Sequence, residues 1–254
     1  MTHPFEMQGK TVLVTGSTAG MGLEIVKGFH AVGARAILSS NCRDDIDTAR
    51  QTLAADGIDV DGIVCDLFDA DSARTLAERA IDEFGPIDAV VAHAGGFTPV
   101  GPLAETSESD VEKVFRTSVL HNLLVIEGFL PRMAEQGGGS IVVTSSIASI
   151  QANRVLSVYG AAKAALNSLV RSIAAEWGPR GIRANAVAPA TVRTKFSEAL
   201  WSDSDRERSA ADLTALGRIA EPHEVVGAVL LFASDAGSYI SGQTLLVDGA
   251  RSVF

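Results

Sequence analysis

Short apolar runs alternate with longer amphipathic segments along almost the whole chain. Seven runs have the length of buried strands: Thr11–Thr15, Ala34–Ser39, Ile63–Cys65, Asp88–Ala92, Ser140–Thr144, Arg183–Ala188 and Thr244–Val247. Six segments between them repeat apolar residues at the i, i+3, i+4 spacing of helices: Met21–Ala31, Arg43–Ala55, Ser72–Phe84, Ser109–Ala134, Val158–Trp177 and Glu221–Ala233. Strands separated by helices build right-handed βαβ units. The pattern predicts an α/β fold with about seven parallel strands and helices on both faces.

The domain organisation follows from the regularity of this alternation. No Pro- or Ser-rich linker, internal repeat or low-complexity block divides the chain, so residues 1–254 are predicted to form a single domain. Residues 191–220 interrupt the alternation of strands and helices with a charged stretch that also contains Phe196, Leu200 and Trp201. Long irregular segments inside domains are often functional, which favours a substrate lid over a solvated surface excursion.

Composition narrows the classes of partner. The formal net charge of −10 disfavours nucleic acid and anionic membranes, because both are bound through Lys and Arg. Cys42 and Cys65 form no Cys-x-x-Cys pair, so neither a disulfide framework nor a metal site is predicted. The strongest apolar run, Val225 to Ala233, is too short to span a bilayer, and no signal peptide is recognisable. A cytoplasmic protein is expected.

A glycine-rich turn follows the first predicted strand. The strand enters Gly16-Ser17-Thr18-Ala19-Gly20-Met21-Gly22 and then a helix. The N–H groups at a helix N-terminus attract phosphate, and glycines let the backbone approach a dinucleotide closely. The spacing G-x-x-x-G-x-G differs from the commoner dinucleotide fingerprint. Taken alone, the pattern is also compatible with a plain strand-to-helix turn.

A tyrosine, a lysine and a serine supply candidate acid–base chemistry. Tyr159 and Lys163 are four residues apart on a predicted helix and therefore share one face. A nearby ammonium is expected to lower the tyrosine pKa from its ordinary value of about 10. Ser146 ends the strand GSIVVTSS, where a parallel sheet delivers side chains into its ligand crevice. Each feature alone has an ordinary structural explanation, but together they point to catalysis.

With these motifs the chain resembles the short-chain dehydrogenase/reductase family, from Lys10 to Ala250. The landmarks in order are Thr15–Gly22, Cys65-Asp66-Leu67, Ala94-Gly95, Ser146 with Tyr159-x-x-x-Lys163, Pro189-x-x-Val192-x-Thr194, and Ser241-Gly242-Gln243 with Val247-Asp248-Gly249. The resemblance implies a Rossmann-like domain, NAD(H) or NADP(H), and reversible oxidation of an alcohol to a carbonyl. It also implies a homotetramer that pairs the two longest helices.

The resemblance assigns roles to individual residues. Tyr159 is the acid–base, Lys163 tunes it and binds the nicotinamide ribose, and Ser146 holds the substrate oxygen. Ribose and pyrophosphate contacts are implied for Gly16, Ser17, Thr18, Gly20 and Met21. Adenine contacts are implied for Asp66 and Leu67, backbone contacts for Ala94 and Gly95, and carboxamide contacts for Val192 and Thr194.

Three positions depart from the family pattern. Ala92-His93-Ala94-Gly95 stands where Asn-Asn-Ala-Gly is usual, and a structural role for His93 is favoured over a catalytic one. Ser118 occupies the place of an Asn that usually orients a water in the proton relay, so it is not assigned as catalytic. Ala190 replaces a Gly and requires a negative φ.

Cofactor choice depends on the end of the second strand. Ser40 occupies the position where an acidic residue would accept from the ribose hydroxyls and repel a 2′-phosphate. Ser40, Asn41 and Arg43 favour NADP(H) over NAD(H), although Asp44 and Asp45 follow closely.

Several alternatives concern function and substrate. The Tyr–Lys spacing disfavours an enoyl reductase, and Lys163 disfavours a halohydrin dehalogenase. A nucleotide-sensing protein without catalysis stays open. The substrate is a small alcohol or carbonyl compound in a mostly apolar pocket, and Arg154 is expected to face solvent rather than select an acidic substrate. The residues expected around this pocket are Gly96, Phe97, Ile147, Gln151, Asn153, Arg154, Leu156, Phe196 and Trp201.

Overall fold

Seven parallel strands form one sheet in the order β3-β2-β1-β4-β5-β6-β7, in a computed structural model that describes residues 3–95 and 100–253. The strands are β1 (Thr11–Thr15), β2 (Arg35–Ser40), β3 (Asp61–Val64), β4 (Ala89–Ala92), β5 (Gly139–Thr144), β6 (Ile182–Pro189) and β7 (Thr244–Val247). The helices are α1 (Gly20–Ala31), α2 (Arg43–Ala55), α3 (Ala70–Phe84), α4 (Glu108–Phe115), α5 (His121–Glu135), α6 (Ser157–Trp177), α7 (Ser204–Ala211) and α8 (Val226–Ala233). The predicted Rossmann-like architecture is confirmed.

The strand order places a crevice at the centre of the sheet. The first three strands run outward from β1, and the chain then returns to pair β4 with the other side of β1. Connections on the two sides of this β1–β4 pair therefore lead in opposite directions. Ligands of open α/β sheets bind at the carboxyl ends of the strands beside such a reversal.

The core has two layers because successive strand side chains point to opposite faces. Val12 and Val14 of β1 belong to the same buried cluster as Phe29 of α1. Leu13, between them, belongs to the cluster on the other face, together with Phe129 of α5. Burial on both faces explains why the strands read as continuous apolar runs.

Two predicted helices are more complex than their periodicity indicated. The segment predicted as one helix, Ser109–Ala134, consists of α4, a π-helical turn over Arg116–Leu120, and α5. The segment predicted as Glu221–Ala233 begins with a 3₁₀ turn, Pro222–Val225, before α8. Residues 191–220 contain α7, which the apolar pattern missed because Ala210 is its one buried residue. None of the described helices is long and apolar enough to cross a membrane.

Candidate active site

A cavity of about 450 Å³ opens at the carboxyl ends of the central strands. Its lining includes the last residues of three of these strands, namely Thr15 of β1, Ser40 of β2 and Thr144 of β5. This volume lies in the range of small-molecule and cofactor pockets. The cavity therefore occupies the crevice that the strand order predicts.

The glycine turn between β1 and α1 shapes one wall of this cavity. Gly16 has a φ of +64°, and a Cβ there would lie 2.9 Å from the Cα of Ala94. Gly20 has a φ of +55° and faces Thr194. Helix α1 begins after Ala19, which provides no side-chain cap, and its first turn contains no acidic residue. Uncapped N–H groups beside two glycines that leave space at the cavity wall fit a dinucleotide pyrophosphate.

Most of the residues predicted to contact a cofactor line this cavity. They are Gly16, Gly20, Met21, Ser40, Asn41, Asp66, Leu67, Ala94, Gly95, Tyr159, Lys163, Val192 and Thr194. Ser17, Thr18 and Arg43 lie outside the lining. The Ser17 hydroxyl is used inside the protein, because it donates to the Val14 carbonyl at 2.7 Å and accepts from the Ser39 N–H. Arg43 is exposed at the start of α2.

The three predicted catalytic residues meet at the cavity. Tyr159 and Lys163 lie one turn apart on α6, and Ser146 follows β5 directly. The Lys163 ammonium is buried, donates to the Thr144 carbonyl at 2.8 Å, and lies 5.7 Å from the centre of the Tyr159 ring. The Ser146 hydroxyl accepts from the Ala148 N–H at 3.2 Å. The arrangement brings a phenol, an ammonium and a hydroxyl to one wall.

Burial sets the acid–base properties of this wall. Burial raises the pKa of Tyr159 to about 12, and interaction with the Ser146 hydroxyl acts in the opposite direction. Burial also lowers the pKa of Lys163 to about 8. The predicted lowering of the Tyr159 pKa is therefore wrong for the protein alone. The physical reason is that desolvation of the phenolate outweighs the opposing effect of the Ser146 hydroxyl, while the Lys163 ammonium donates to the Thr144 carbonyl.

His93 is a partly buried imidazole at the end of β4. Its Nδ1 lies 2.9 Å from the Thr144 hydroxyl oxygen. Burial, followed by the charge of Lys163, lowers the pKa of His93 to about 4. The contact links the end of β4 to the end of β5, which agrees with the structural role favoured from the sequence.

The π-helical turn carries the second departure from the family pattern. The Ser118 hydroxyl is buried and has no hydrogen-bond partner among the described residues. One turn later, the Asn122 amide donates to the carbonyls of Ser118 at 2.9 Å and Ala94 at 3.2 Å. Asn122 thus ties this helix to the loop after β4. At the third departure, Ala190 avoids a positive φ, as its side chain requires.

The substrate end of the cavity is only partly as predicted. Ile147, Gln151, Asn153, Leu156 and Phe196 line it. The Phe196 ring centre lies 6.4 Å from that of Tyr159. Arg154 is exposed and outside the lining, and the Trp201 indole instead donates to Ser197 and packs on Arg193. Gly96 and Phe97 lie outside the described residues.

Three residues of the site were given no role from the sequence. The Thr15 hydroxyl oxygen accepts from the N–H groups of His93 and Ala94, both at 3.1 Å. The Thr144 carbonyl accepts a hydrogen bond from the Lys163 ammonium, and the Thr144 hydroxyl is hydrogen-bonded to the His93 Nδ1. Arg251 enters the lining from the segment after β7. The first two continue apolar strands, and the third lies close to the chain terminus, so periodicity does not single them out.

The chain is similar to known proteins in both sequence and fold. A family model described as Enoyl-(Acyl carrier protein) reductase matches residues 16–250. Dehydrogenase/reductase SDR family member 4 of Homo sapiens is 34% identical over 249 residues, which cover 98% of this chain and 90% of that protein. This chain belongs to the short-chain dehydrogenase/reductase family. Short-chain dehydrogenase/reductase SDRA of Arabidopsis thaliana is 33% identical over 246 residues, covering 97% of this chain and 96% of that one.

Solved structures agree with this membership. A gluconate 5-dehydrogenase of Burkholderia cenocepacia, in complex with NADP and tartrate, superimposes with a TM-score of 0.93 at 27% identity. The similarity covers 99% of this chain and 98% of that one. The resemblance drawn from the motifs is confirmed, and membership in the short-chain dehydrogenase/reductase family supports NAD(P)-dependent oxidoreduction as the general chemistry.

Proposed function

We propose that this short-chain dehydrogenase/reductase transfers a hydride between NAD(P)(H) and an alcohol or ketone, with Tyr159 as the acid–base. The observation that carries the proposal is the shared cavity: Ser146, Tyr159 and Lys163 line the same space as the glycine turn. Hydride transfer needs a proton donor beside the reacting carbonyl, and this wall supplies one.

Each residue has a defined task in carbonyl reduction. The Ser146 hydroxyl donates to the carbonyl oxygen, and Tyr159 gives that oxygen its proton. The hydride would come from the nicotinamide cofactor when it is bound in the cavity. The raised pKa of Tyr159 keeps the phenol protonated at neutral pH, ready to act as an acid. Lys163, with a pKa of about 8, is mostly charged at pH 7 and stabilises negative charge on the phenol oxygen after proton transfer.

Tyr159→Phe tests the acid–base role. Loss of the hydroxyl should lower kcat by about 10²- to 10⁴-fold, the usual worth of general acid–base catalysis. The affinity for NADPH, measured by fluorescence titration, should change little. Tyr239→Phe is the matched control because Tyr239 is fully exposed. Equal turnover in the Tyr159 variant and the wild type refutes the role.

Two alternatives give different outcomes in the same assay. A nucleotide-sensing protein would bind NADPH and oxidise it with no substrate in a broad panel of ketones and aldehydes. An enoyl reductase, the activity in the description of the matching family model, would reduce a 2-enoyl thioester and leave ketones untouched. The four-residue spacing of Tyr159 and Lys163 favours the ketones.

We propose NADP(H) as the preferred nucleotide. Ser40 and Asn41 line the cavity where β2 ends, and neither carries a negative charge. A carboxylate at this position would repel a 2′-phosphate. The complex of the Burkholderia cenocepacia relative with NADP is consistent with this choice.

Ser40→Asp tests the preference for NADP(H). The added carboxylate should lower the ratio of kcat/KM for NADPH to that for NADH by about 10- to 100-fold, since like charges within a few ångströms disfavour each other by some 1.4–2.7 kcal/mol at an intermediate dielectric. Thr52→Asp, which adds the same charge on the exposed face of α2, should leave the ratio unchanged. An unchanged ratio in Ser40→Asp contradicts the proposed site of discrimination.

We propose that residues 191–220 act as the substrate lid. Phe196 and Leu200 line the cavity from a 3₁₀ turn, Lys195–Leu200. The Arg193 guanidinium pairs with Glu207 and, at 3.0 Å, with Glu221, so it connects α7 with the residue that follows the segment. Substitution of Phe196 by Ala should therefore change KM and substrate preference more than the affinity for NADPH.

Assembly and compartment are proposed on surface properties. Val111, Phe115 and Leu120 are exposed apolar side chains on α4 and the following π-helical turn, which supports a homotetramer packed through this region. A monomeric mass in solution contradicts that assembly. Cys42 and Cys65 are unpaired, which suits a reducing cytoplasm; a disulfide in the purified native protein would contradict it.

A further inference from the structure

The cavity contains an arginine that the proposed reaction does not use. Arg251 lines the same cavity as Tyr159 and lies four residues after the end of β7. Strand β7 is the sheet edge opposite β3, and the Val247 carbonyl accepts from the Ala190 N–H at 3.1 Å. Ser40 and Asp66 mark the end of the cavity where the adenosine part of a nucleotide is proposed to bind. Arg251 therefore enters at the opposite end.

A strained turn holds Arg251 in this place. Gly249 and Ala250 both have positive φ values, 59° and 63°, and Ala250 is the one non-glycine residue among those described with a positive φ. The Asp248 carboxylate accepts from the N–H groups of Ala250 at 3.0 Å and Ser252 at 2.9 Å. The Gly249 carbonyl also accepts from Leu216 of residues 191–220. Backbone strain that several contacts maintain is typical of functional positions.

The Arg251 guanidinium forms no ion pair with another described residue. It is half-buried, and no carboxylate of the described residues lies within 4.0 Å of it. Burial lowers the pKa of Arg251, and the nearby Asp248 only partly offsets this. Asp248 instead uses its oxygens on the backbone of the turn. By contrast, Arg193 and Arg218 both form ion pairs with glutamates.

The charge of the cavity differs from that of the whole protein. The chain has a net charge of −10, yet the lining contains Lys163, Lys195 and Arg251 and a single carboxylate, Asp66. Lys163 is committed to the catalytic wall and Lys195 is exposed. A partly desolvated guanidinium that forms no ion pair within the described part of the chain is available to donate hydrogen bonds to one anionic group of a ligand.

We propose that Arg251 binds a carboxylate of the substrate, so that the substrate class is an oxo acid or the corresponding hydroxy acid. The inference rests on the proposed function, since it concerns the compound whose carbonyl faces Tyr159. The planar guanidinium pairs with a carboxylate through two parallel hydrogen bonds, which orients the acid as well as attracting it. The partial burial of Arg251 strengthens this attraction, because the pair is less screened by solvent.

A series of oxo acids tests the proposal kinetically. Pyruvate, acetoacetate, levulinate and 5-oxohexanoate place the carboxylate at increasing distances from the ketone, and each is compared with its methyl ester. The wild type should prefer at least one acid over its ester, and Arg251→Gln should lower that acid-to-ester ratio of kcat/KM by about 10- to 100-fold. Arg251→Lys should restore part of it. Arg154→Gln, which removes an exposed arginine outside the cavity, should leave the ratio unchanged.

Binding measured without turnover separates this proposal from the proposed function. In calorimetry, the preferred acid of the series should bind the wild type at least tenfold more tightly than Arg251→Gln, and its methyl ester should show no such difference. Two results would overturn the role of Arg251 and leave the proposed reaction intact. One is that the wild type reduces esters and acids with equal efficiency, and the other is that Arg251→Gln lowers kcat/KM equally for both. Absence of any ketone reduction, with the calorimetric difference intact, overturns the reaction and leaves the carboxylate site.

Discussion

Replacing Lys163 by methionine should stabilise the protein near neutral pH while abolishing its catalysis. The ammonium of this residue is buried, and burial lowers its pKa from 10.5 to about 8. At pH 7 the folded protein therefore carries a charge in a place that disfavours it. Methionine has a similar length and no charge, so it fills the same space without that cost.

The magnitude follows from the two pKa values. Each unit of difference corresponds to about 1.4 kcal/mol, so the charged lysine costs roughly 3 kcal/mol at pH 7 relative to the unfolded chain. Between pH 8 and 10.5 the unfolded chain binds more protons at this residue than the folded protein does. The contribution of this group to the unfolding free energy of the wild type therefore rises as the pH is raised from 8 to 10.5. The same contribution is lost as the pH falls from 10.5 through 8. Loss of the hydrogen bond to Thr144 subtracts about 1 kcal/mol from the gain.

Urea denaturation of the nucleotide-free protein measures this effect. The difference in unfolding free energy between Lys163→Met and the wild type should favour the variant by about 2 kcal/mol at pH 7 and shrink by about 2–3 kcal/mol towards pH 10. Lys195→Met, which removes an exposed lysine, should show a flat difference over the same range. A flat difference for Lys163→Met as well would refute the assignment of a desolvated ammonium.

Two other predictions concern the glycine turn and the phenol. Gly16→Ala and Gly57→Ala both place a side chain at positive φ, at a cost of about 1–2 kcal/mol each. Only at Gly16 would the new Cβ meet another residue, the Cα of Ala94 at 2.9 Å. We therefore expect only Gly16→Ala to lose NADPH affinity, by tenfold or more in a fluorescence titration. Equal affinities in both variants would remove the turn from the binding site. Alcohol oxidation needs the phenolate of Tyr159, and with a pKa of about 12 the phenolate becomes tenfold scarcer for each unit by which the pH lies below that value. Therefore kcat/KM for oxidation should rise from pH 6 to 9, while kcat/KM for carbonyl reduction stays level. A pH-independent oxidation contradicts the role of Tyr159 as the base.

The sheet was predictable because its strands are buried on both faces. Continuous apolar runs such as Val12–Val14 leave no other arrangement than a parallel sheet between two helical layers. The trio of Ser146, Tyr159 and Lys163 was predictable from spacing, since a four-residue step on a helix and the end of a neighbouring strand converge on one cavity. Periodicity did not reveal the π-helical turn at Arg116–Leu120, because the apolar spacing changes little across a single wide turn.

Properties that depend on burial were not accessible from the sequence. The direction of the Tyr159 pKa shift is set by desolvation, which exceeds the opposing effect of the Ser146 hydroxyl. The position of Arg251 depends on two successive residues at positive φ, of which only Gly249 is conspicuous in the sequence. Arg154 faces solvent, as expected from the sequence, whereas Arg251, the arginine that lines the cavity, follows the last strand and was not singled out.

The most direct test of hydride transfer at this cavity is an isotope experiment. The protein is incubated with a ketone that it reduces and with NADPH carrying deuterium on one face of the nicotinamide C4, and then with the opposite labelled form, and the product alcohol is analysed by mass spectrometry. The proposed reaction predicts one deuterium on the carbinol carbon from one labelled form and none from the other. Oxidation of NADPH that leaves no label in the alcohol from either form would contradict it.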